Sequence, residues 1–501
     1  MDVPQPHAVI LPFPAQGHIK PMLMLAKLLS HANFYITFVN TLDIHNHFLE
    51  LINQTTFNNL FPRLRFMAIP DGLPPEHPRS GPQFIRDLFI SILSAAPKHK
   101  FRDLLLSLIN GPETGGGQWS TPTCVIADGL ISILAIDVAE ELHIPVIAFR
   151  TVSASSYWVY LNIPKLIEEG LIPFQGDDDM DGLITCIPGF QSLLRRRDLP
   201  SFCRFESIEN PVLQFFINQT LAMTRASALI LNTFDGLESP IISKLLSFFP
   251  KIYTIGPLHA LLESRIKDHL LLSHSSSNGS LREQDRTCLA WLDSQPSKSV
   301  VYINFGSLVM ITPDQLMEFW YGLVNSEKPF LWVIREDLLL GEDMVNETPQ
   351  ELTMRTRERG CIVGWAPQEE ILAHRAVGGF LTHSGWNSTL ESIWAGVPMI
   401  CWPQLADQQV NSRCVSELWK LGIDIKDTCD RSTVEKVVRD LIEGKREEIM
   451  KSSDDIARMA RDSVREGGSS YCNLEKLVDD IRSFMSSSQY ASSECNEGRK
   501  L

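Results

Sequence analysis

Along the first half of the chain the apolar positions fall into two alternating patterns. Short dense runs (HAVILPF from His7 to Phe13, YITFV, LRFMAI, TCVIAD and PVIAF) have the length and β-branched content of buried strands. Between them lie stretches with helical spacing. Ile19, Met22, Leu23, Ala26 and Leu29 share one face of a helix predicted over residues 18–30. The run from FIRDLFISIL to FRDLLLSLI and a segment from Ile131 to Leu142 read the same way, and ALILNTF and KIYTIGPL add two more strand-like runs. Strands alternating with helices at this spacing predict a parallel sheet covered on both faces.

From Leu262 to Gln284 the pattern fades, and SHSSSNGS has the composition of a linker. The alternation then restarts with SVVYINFGS, a helix over 313–325, FLWVIR, CIVGW, GGFLTH, a helix over 387–395, PMICWP and a helix through Gln409 to Leu421. Helical patterns over 431–444, 447–465 and 471–485 precede a Ser-rich tail. The predicted fold is α/β, with two Rossmann-like, doubly wound domains facing a cleft. The first domain is expected over 1–258 and a linker over 259–284. The second domain is expected over 285–470, a terminal helix over 471–486 and a disordered tail over 487–501. A chain of 501 residues is long enough for two such cores.

Composition narrows the function classes. Hydrophobic residues are 44% and charged residues 21% of the chain, an ordinary globular balance. Lys and Arg number 45 against 60 Asp and Glu, a net charge of −15, which argues against a nucleic-acid or anionic-membrane partner. The start, MDVPQPHAVILPFPAQGH, has no basic segment followed by an apolar one, and no uncharged apolar run approaches the ~20 residues a bilayer span needs. The ten cysteines include no CxxC pair. A monomeric cytoplasmic protein without stable membrane insertion is expected, and the Asn-x-Ser/Thr triplets are read as chance matches.

In open parallel sheets, ligands bind beyond the carboxyl ends of the strands. Polar residues gather at those ends here: His18 after the first strand, Asp128 closing TCVIAD, Ser307 closing INFGS, His383 closing GGFLTH, and Asp407 beyond ICWP. The richest element is HSGWNSTLES, where a strand runs through Ser384-Gly385 into a helix. The unpaired N–H groups of that first turn make an anion site suited to a diphosphate. Asn387 and Ser388 read as caps of this helix that also donate to phosphate oxygens. Trp365, with Ala366 and Gln368 just after another strand, offers a flat ring for a base and an amide for its edge. Glu391 lies one turn beyond Asn387, where a carboxylate accepts both hydroxyls of a ribose.

The ungapped run WAPQEEILAHRAVGGFLTHSGWNSTLESIWAGVPMICWPQLADQ, from Trp365 to Gln408, resembles the signature box of plant UDP-dependent glycosyltransferases. PAQGH, TCVIAD and INFGS extend the resemblance over most of the chain. It implies a GT-B fold whose C-terminal helix crosses back to the first domain, UDP-glucose as co-substrate, and no metal or separate cofactor. It also implies that Trp365 stacks on uracil, Gln368 helps to hold the nucleoside, and Glu391 takes the ribose hydroxyls. His383, Asn387, Ser388 and the Trp386 backbone would meet the diphosphate with Ser307 close by, while Asp407 and Gln408 bind the sugar. Gln at the final box position is the family's mark of glucose preference. His18 matches the general base and Asp128 its partner, which orients the ring and stabilises the imidazolium. One-step displacement on an α-linked donor then gives a β-glycoside.

On the acceptor side, CIPGFQSLLRRRDLPSF, FRTVSASSYW and DGLPPEHPR resemble the branch that glucosylates iridoid and related terpenoid aglycones such as 7-deoxyloganetic acid. Gln404-Leu405 departs from the aromatic that often precedes Ala-Asp-Gln in that family. A phenolic acceptor such as a flavonoid is the alternative. Arg195, Arg196 and Arg197 are candidates to attract a carboxylated acceptor, though a solvated or helix-anchoring basic cluster is the plainer reading. A dehydrogenase would need GxGxxG and a serine hydrolase GxSxG, and both are absent. A glycosidase pair made from Asp128 and Asp407 would leave His18 and Trp365 without a role. A non-catalytic UDP-sugar-binding protein would keep the box and lose His18 or Asp128, yet both are present.

Overall fold

The computed structural model describes residues 5–79, 81–111, 119–175, 179–266, 280–335, 337, 354, 356, 357, 359–444 and 446–497. Two sheets carry the chain. The first holds β1 (His7–Leu11), β2 (Tyr35–Thr41), β3 (Leu64–Ile69), β4 (Cys124–Asp128), β5 (Val146–Arg150), β6 (Ala228–Leu231) and β7 (Ile252–Thr254), in the order β3-β2-β1-β4-β5-β6-β7. The second holds β8 (Val300–Asn304), β9 (Phe330–Val333), β10 (Gly360–Val363), β11 (Val377–Thr382), β12 (Met399–Cys401) and β13 (Gly422–Asp424), in the order β10-β9-β8-β11-β12-β13. Every pairing is parallel. The strand order reverses between β1 and β4 and again between β8 and β11, the two points where doubly wound sheets open a crevice.

The strands are uniformly apolar because both faces are covered. On β1, Ala8 and Ile10 enter one core cluster while Val9 and Leu11 enter another. That second cluster continues into the other sheet through Val300 and Tyr302, so one apolar core runs across both halves. Helix Ser469–Glu497 returns to the first half, where Leu474, Leu477, Val478 and Ile481 share a cluster with Ala8 and Ile10. Polar contacts fix its position against β7. Asn473 Nδ2 donates to Thr254 Oγ1 at 2.8 Å, and Lys251 pairs with Asp480 at 2.9 Å. No helix among the described residues is long and apolar enough to cross a membrane.

The structure departs from the sequence reading in several places. The stretch read as a linker from residue 259 begins inside helix Leu258–Arg265, because Leu258, Ala260, Leu261 and Leu262 are buried in the first core. Residues 267–279, which hold SHSSSNGS, lie outside the described residues. The terminal helix continues to Glu497, past the expected end at 486 and through part of the segment read as a disordered tail. No Gly or Pro interrupts it before Gly498. The helix expected through Gln409 to Leu421 is instead helix Gln408–Arg413 followed by a π-turn over Cys414–Leu418. β13 then follows, too short to show a period in the sequence.

Two of the three arginines at 195–197, Arg195 and Arg197, are structural. Arg195 Nε meets Asp198 Oδ2 at 2.9 Å, and Arg197 pairs with Asp181 at 2.8 Å and Asp427 at 3.2 Å. Asp198, wholly buried, also receives Lys426 Nζ at 2.9 Å from the second half of the chain. Burial opposes the Asp198 charge, but Arg195 and Lys426 hold its carboxyl below the usual range. These arginines therefore anchor the two halves and are not a lure for a carboxylated acceptor.

Removing one partner from such a buried pair strands the others. Asp198→Ala should lower unfolding stability by about 3–5 kcal/mol in urea titrations at pH 7, and an unchanged midpoint would refute the anchoring role. A second expectation concerns His7, which is fully buried with Nδ1 2.7 Å from Ser120 O and Nε2 2.9 Å from Thr37 Oγ1. Burial pushes its pKa down to about 4, the Ser120 carbonyl opposing and Arg65 adding to the fall. Between about pH 6.5 and 4 the unfolded chain therefore binds the extra proton, so stability falls as pH is lowered through that window. His7→Gln should flatten the fall in stability between pH 6.5 and 5 by up to about 1.4 kcal/mol per pH unit. An unaltered slope would show that His7 is not the group responsible.

Candidate active site

At the first reversal point, β1 runs through Pro12–Ala15 into helix Gln16–His31, whose first turn carries His18. β4 ends on Asp128, fully buried. His18 Nδ1 lies 2.7 Å from Asp128 Oδ2, so the two residues singled out at separate strand ends do meet. The other carboxylate oxygen accepts the Leu130 N–H at 2.8 Å, which fixes the carboxylate. Thr151, directly after β5, places Oγ1 2.9 Å from the same His18 nitrogen. Phe13 meets the imidazole edge-on at 5.2 Å. Both polar contacts engage Nδ1, which leaves Nε2 as the ring nitrogen to meet a substrate, and the His18 side chain remains 18% exposed. A buried acid holding a partly exposed imidazole by one nitrogen is the arrangement of a general base with its orienting partner.

The second reversal point carries the box. His383 follows β11 and is held between two loops. A Cβ at Gly306 would come within 2.5 Å of the imidazole, and one at Gly385 within 2.4 Å, so side chains at these positions would displace the ring. Burial and the neighbouring Arg335 charge push the His383 pKa down to about 4 and keep the ring neutral. Ser307 is on the same side, its carbonyl accepting from Arg335. Helix Trp386–Ala395 starts from Gly385 with no side-chain cap. The expected caps do other work: Asn387 Nδ2 donates to Gly17 O at 2.8 Å across to the first half, and Ser388 Oγ accepts from Gln368 Nε2 at 2.9 Å. The free first-turn N–H groups and the helix dipole therefore face the loop without competition from a cap.

Gln368 and Glu391 form one network. Gln368 Oε1 accepts from Asn304 Nδ2 at 2.8 Å, while its Nε2 donates to Glu391 Oε2 at 2.8 Å. Glu391 Oε1 receives Lys20 Nζ at 2.8 Å, and Lys20 also pairs with Glu369 at 2.6 Å. Burial opposes the Lys20 charge, but Glu369 and Glu391 hold its pKa above the ordinary lysine value. Trp365, half-buried next to the buried Ala366, donates from Nε1 to Ser280 Oγ at 3.1 Å, and Arg282 lies 5.7 Å from its ring centre. The Trp386 side chain is buried and donates to Asn232 O at 2.7 Å, so only its backbone is left for a ligand.

Beyond β12, Asp407 Oδ2 accepts Asn411 Nδ2 at 2.7 Å, and Gln408 Oε1 accepts the N–H groups of Gln404 and Leu405 at 2.9 and 2.8 Å. Burial pushes the Asp407 carboxyl above the usual carboxylate range, opposed by Asn411 and more weakly by Arg150 and His18. Asp407 thus comes within electrostatic reach of His18. Ser384 and Ala406, the residues before Gly385 and Asp407, both have positive φ, at 62° and 50°. Left-handed backbone outside glycine is costly, and here it falls in the two loops that carry the candidate ligand groups. Thr151, Lys20 and Asn411 escaped the sequence reading. For Thr151 the signal existed, since it stands at a strand's carboxyl end like Asp128. For Lys20 and Asn411 no local pattern names their distant partners.

The family model described as UDP-glucoronosyl and UDP-glucosyl transferase matches residues 131–458. A 7-deoxyloganetic acid glucosyltransferase of Catharanthus roseus is 48% identical over 481 residues, covering 96% of this chain and 98% of that one. A myricetin 3-O-rhamnoside 1,2-glucosyltransferase of Crocosmia x crocosmiiflora is 46% identical over 478 residues, covering 95% of this chain and 96% of that one. The crystal structure of a UDP-glucose: anthocyanidin 3-O-glucosyltransferase in complex with UDP superposes with a TM-score of 0.79 at 27% identity, covering 96% of this chain and all of that one. Matched by the family model from helix Ser132–Glu141 onward and by full-length relatives along nearly all of its sequence, the chain belongs to the UDP-glucoronosyl and UDP-glucosyl transferase family and is a UDP-glycosyltransferase with the GT-B fold.

Proposed function

We propose that the enzyme is an inverting glucosyltransferase that moves glucose from UDP-glucose to a hydroxyl or carboxyl of an iridoid or related terpenoid aglycone. The observation that carries the chemistry is the 2.7 Å contact between His18 Nδ1 and the buried Asp128. His18 Nε2 takes the acceptor proton as the acceptor oxygen attacks the anomeric carbon. The bond from that carbon to the diphosphate oxygen breaks in the same step, which converts an α-linked donor into a β-glucoside. Asp128 stabilises the imidazolium, and Thr151 helps to hold the ring. The departing diphosphate is received at the uncapped start of helix Trp386–Ala395, beside His383, Asn387, Ser388 and Ser307. Trp365, Ala366 and Gln368 hold the nucleoside, Glu391 the ribose, and Asp407 with Gln408 the sugar.

The acceptor class is supported by the 48% identical relative, whose name specifies 7-deoxyloganetic acid. The 46% identical relative named for a myricetin rhamnoside favours a phenolic glycoside as a second reading. A mass-spectrometric screen of UDP-glucose against terpenoid and phenolic alcohols and acids separates the two. Turnover confined to phenolics would overturn the terpenoid assignment.

His18→Ala should lower kcat by about 10²–10⁴-fold while the affinity for UDP, measured by calorimetry, stays near that of the parent enzyme. Asp128→Asn should lower kcat by a comparable factor without changing the melting temperature in the presence of UDP, and full activity in either variant would remove that residue from the mechanism. Gln408→His should shift the ratio of kcat/KM for UDP-glucose over UDP-galactose toward galactose. An unchanged ratio would show that this position does not select the sugar.

A further inference from the structure

Arg150 closes β5 and is 1% exposed. Its guanidinium carries a full charge and five N–H donors, and Asp407 acts on it only at longer range than an ion pair. No carboxylate forms an ion pair with it, and its Nε has no hydrogen-bond partner. The other buried arginine, Arg335, donates to the carbonyls of Ser307 and Val309 and pairs with Asp337. Arg150 lies instead against two phenol rings, 5.6 Å from the centre of Tyr157 and 5.0 Å from that of Tyr160. Stacking on ring faces recovers part of the lost hydration but satisfies none of the in-plane N–H groups. The Tyr157 hydroxyl is buried without a partner too, and the Tyr160 hydroxyl has no partner other than the guanidinium. Burial keeps both phenols protonated and therefore able to donate.

This knot of unmatched donors adjoins the reacting groups. Arg150 precedes Thr151, whose hydroxyl lies 2.9 Å from His18 Nδ1. On the other side is Gly129, next to Asp128. A Cβ there would come within 2.7 Å of Arg150 Nη1 and 2.8 Å of Cδ, so the absence of a side chain makes room for the guanidinium. Arg150 and His18 both act on the half-buried Asp407 carboxyl, yet Asp407 takes its hydrogen bond from Asn411. A planar guanidinium fork flanked by two tyrosines is complementary to one chemical group above others, a carboxylate.

We propose that Arg150, with the Tyr157 and Tyr160 hydroxyls, receives a carboxylate of the acceptor, so that the enzyme selects acids over their neutral esters. This deepens the acceptor reading above and rests on it for the terpenoid skeleton, but not for the carboxylate. The assignment replaces Arg195 and Arg197, whose charges are matched within the fold.

The test compares 7-deoxyloganetic acid with its methyl ester, and a phenolic acid with its methyl ester, for binding to the UDP-loaded enzyme and for kcat/KM with UDP-glucose. The parent enzyme should favour the acid of at least one pair by tenfold or more. Arg150→Gln should cut that acid-to-ester ratio at least tenfold, and Arg150→Lys, which keeps the charge but not the fork, should give an intermediate ratio. Acid preference seen only with the phenolic pair, and lost in Arg150→Gln, would retain Arg150 and remove the terpenoid reading. The absence of acid preference in the parent enzyme, or a ratio that Arg150→Gln leaves unchanged, would overturn the proposal. A parallel arm with UDP-glucuronate distinguishes the other source of a carboxylate. If Arg150→Gln abolishes use of that donor while the acid-to-ester ratio is unmoved, the carboxylate belongs to the donor and the acceptor assignment falls.

Discussion

Parallel strands cannot be joined by tight turns, so each crossover returns through a helix and every loop leaving a strand's carboxyl end emerges at the same edge of its sheet. Both sheets here are wholly parallel, and the apolar cluster containing Val9 and Leu11 also contains Val300 and Tyr302. Two edges bearing loops are thereby packed against one another by a shared core. His18, Asp128 and Thr151 meet because β1, β4 and β5 are neighbours in one sheet. His383 and Asp407 come from β11 and β12, neighbours in the other. The polar bonds between the halves, Asn387 to Gly17, Lys20 to Glu391 and Lys426 to Asp198, then set the register of one edge against the other.

Much of this was legible because burial on both faces leaves a strong trace in sequence. Runs such as HAVIL and CVIAD mark strands without ambiguity, and their ends mark the site. The His18–Asp128 contact follows from topology once both are placed at carboxyl ends of one sheet. What stayed illegible depends on geometry that no period records. β13 has three residues, and its pairing with β12 appears only when the sheet is assembled. Propensity assigned Asn387 and Ser388 to capping, but a tertiary carbonyl from Gly17 and an amide from Gln368 claim those side chains first. The arginine triplet is a surface-like run in sequence, whereas Asp198 three residues after Arg195 is wholly buried and draws Arg195 and Lys426 to it. Arg150 reads as the last residue of an ordinary strand, and its lack of an ion-pair partner among the described residues is a fact of three dimensions.

Glu391, the proposed ribose ligand, already has both carboxylate oxygens bonded within the fold. On the proposed assignment a ribose must displace bonds that Glu391 makes to Lys20 and Gln368, so its affinity is the difference between two sets of hydrogen bonds rather than the sum of new ones. Stranding a partly buried ammonium would oppose that exchange. The second carboxylate, Glu369 at 2.6 Å, leaves Lys20 a partner when Glu391 turns to the ribose. Lys20 is two residues past His18 on helix Gln16–His31, and Asn387 holds the carbonyl of Gly17 just before it. On that assignment, a donor bound in one half would act on the turn that carries the proposed base in the other, through a lysine and an asparagine that bridge the cleft.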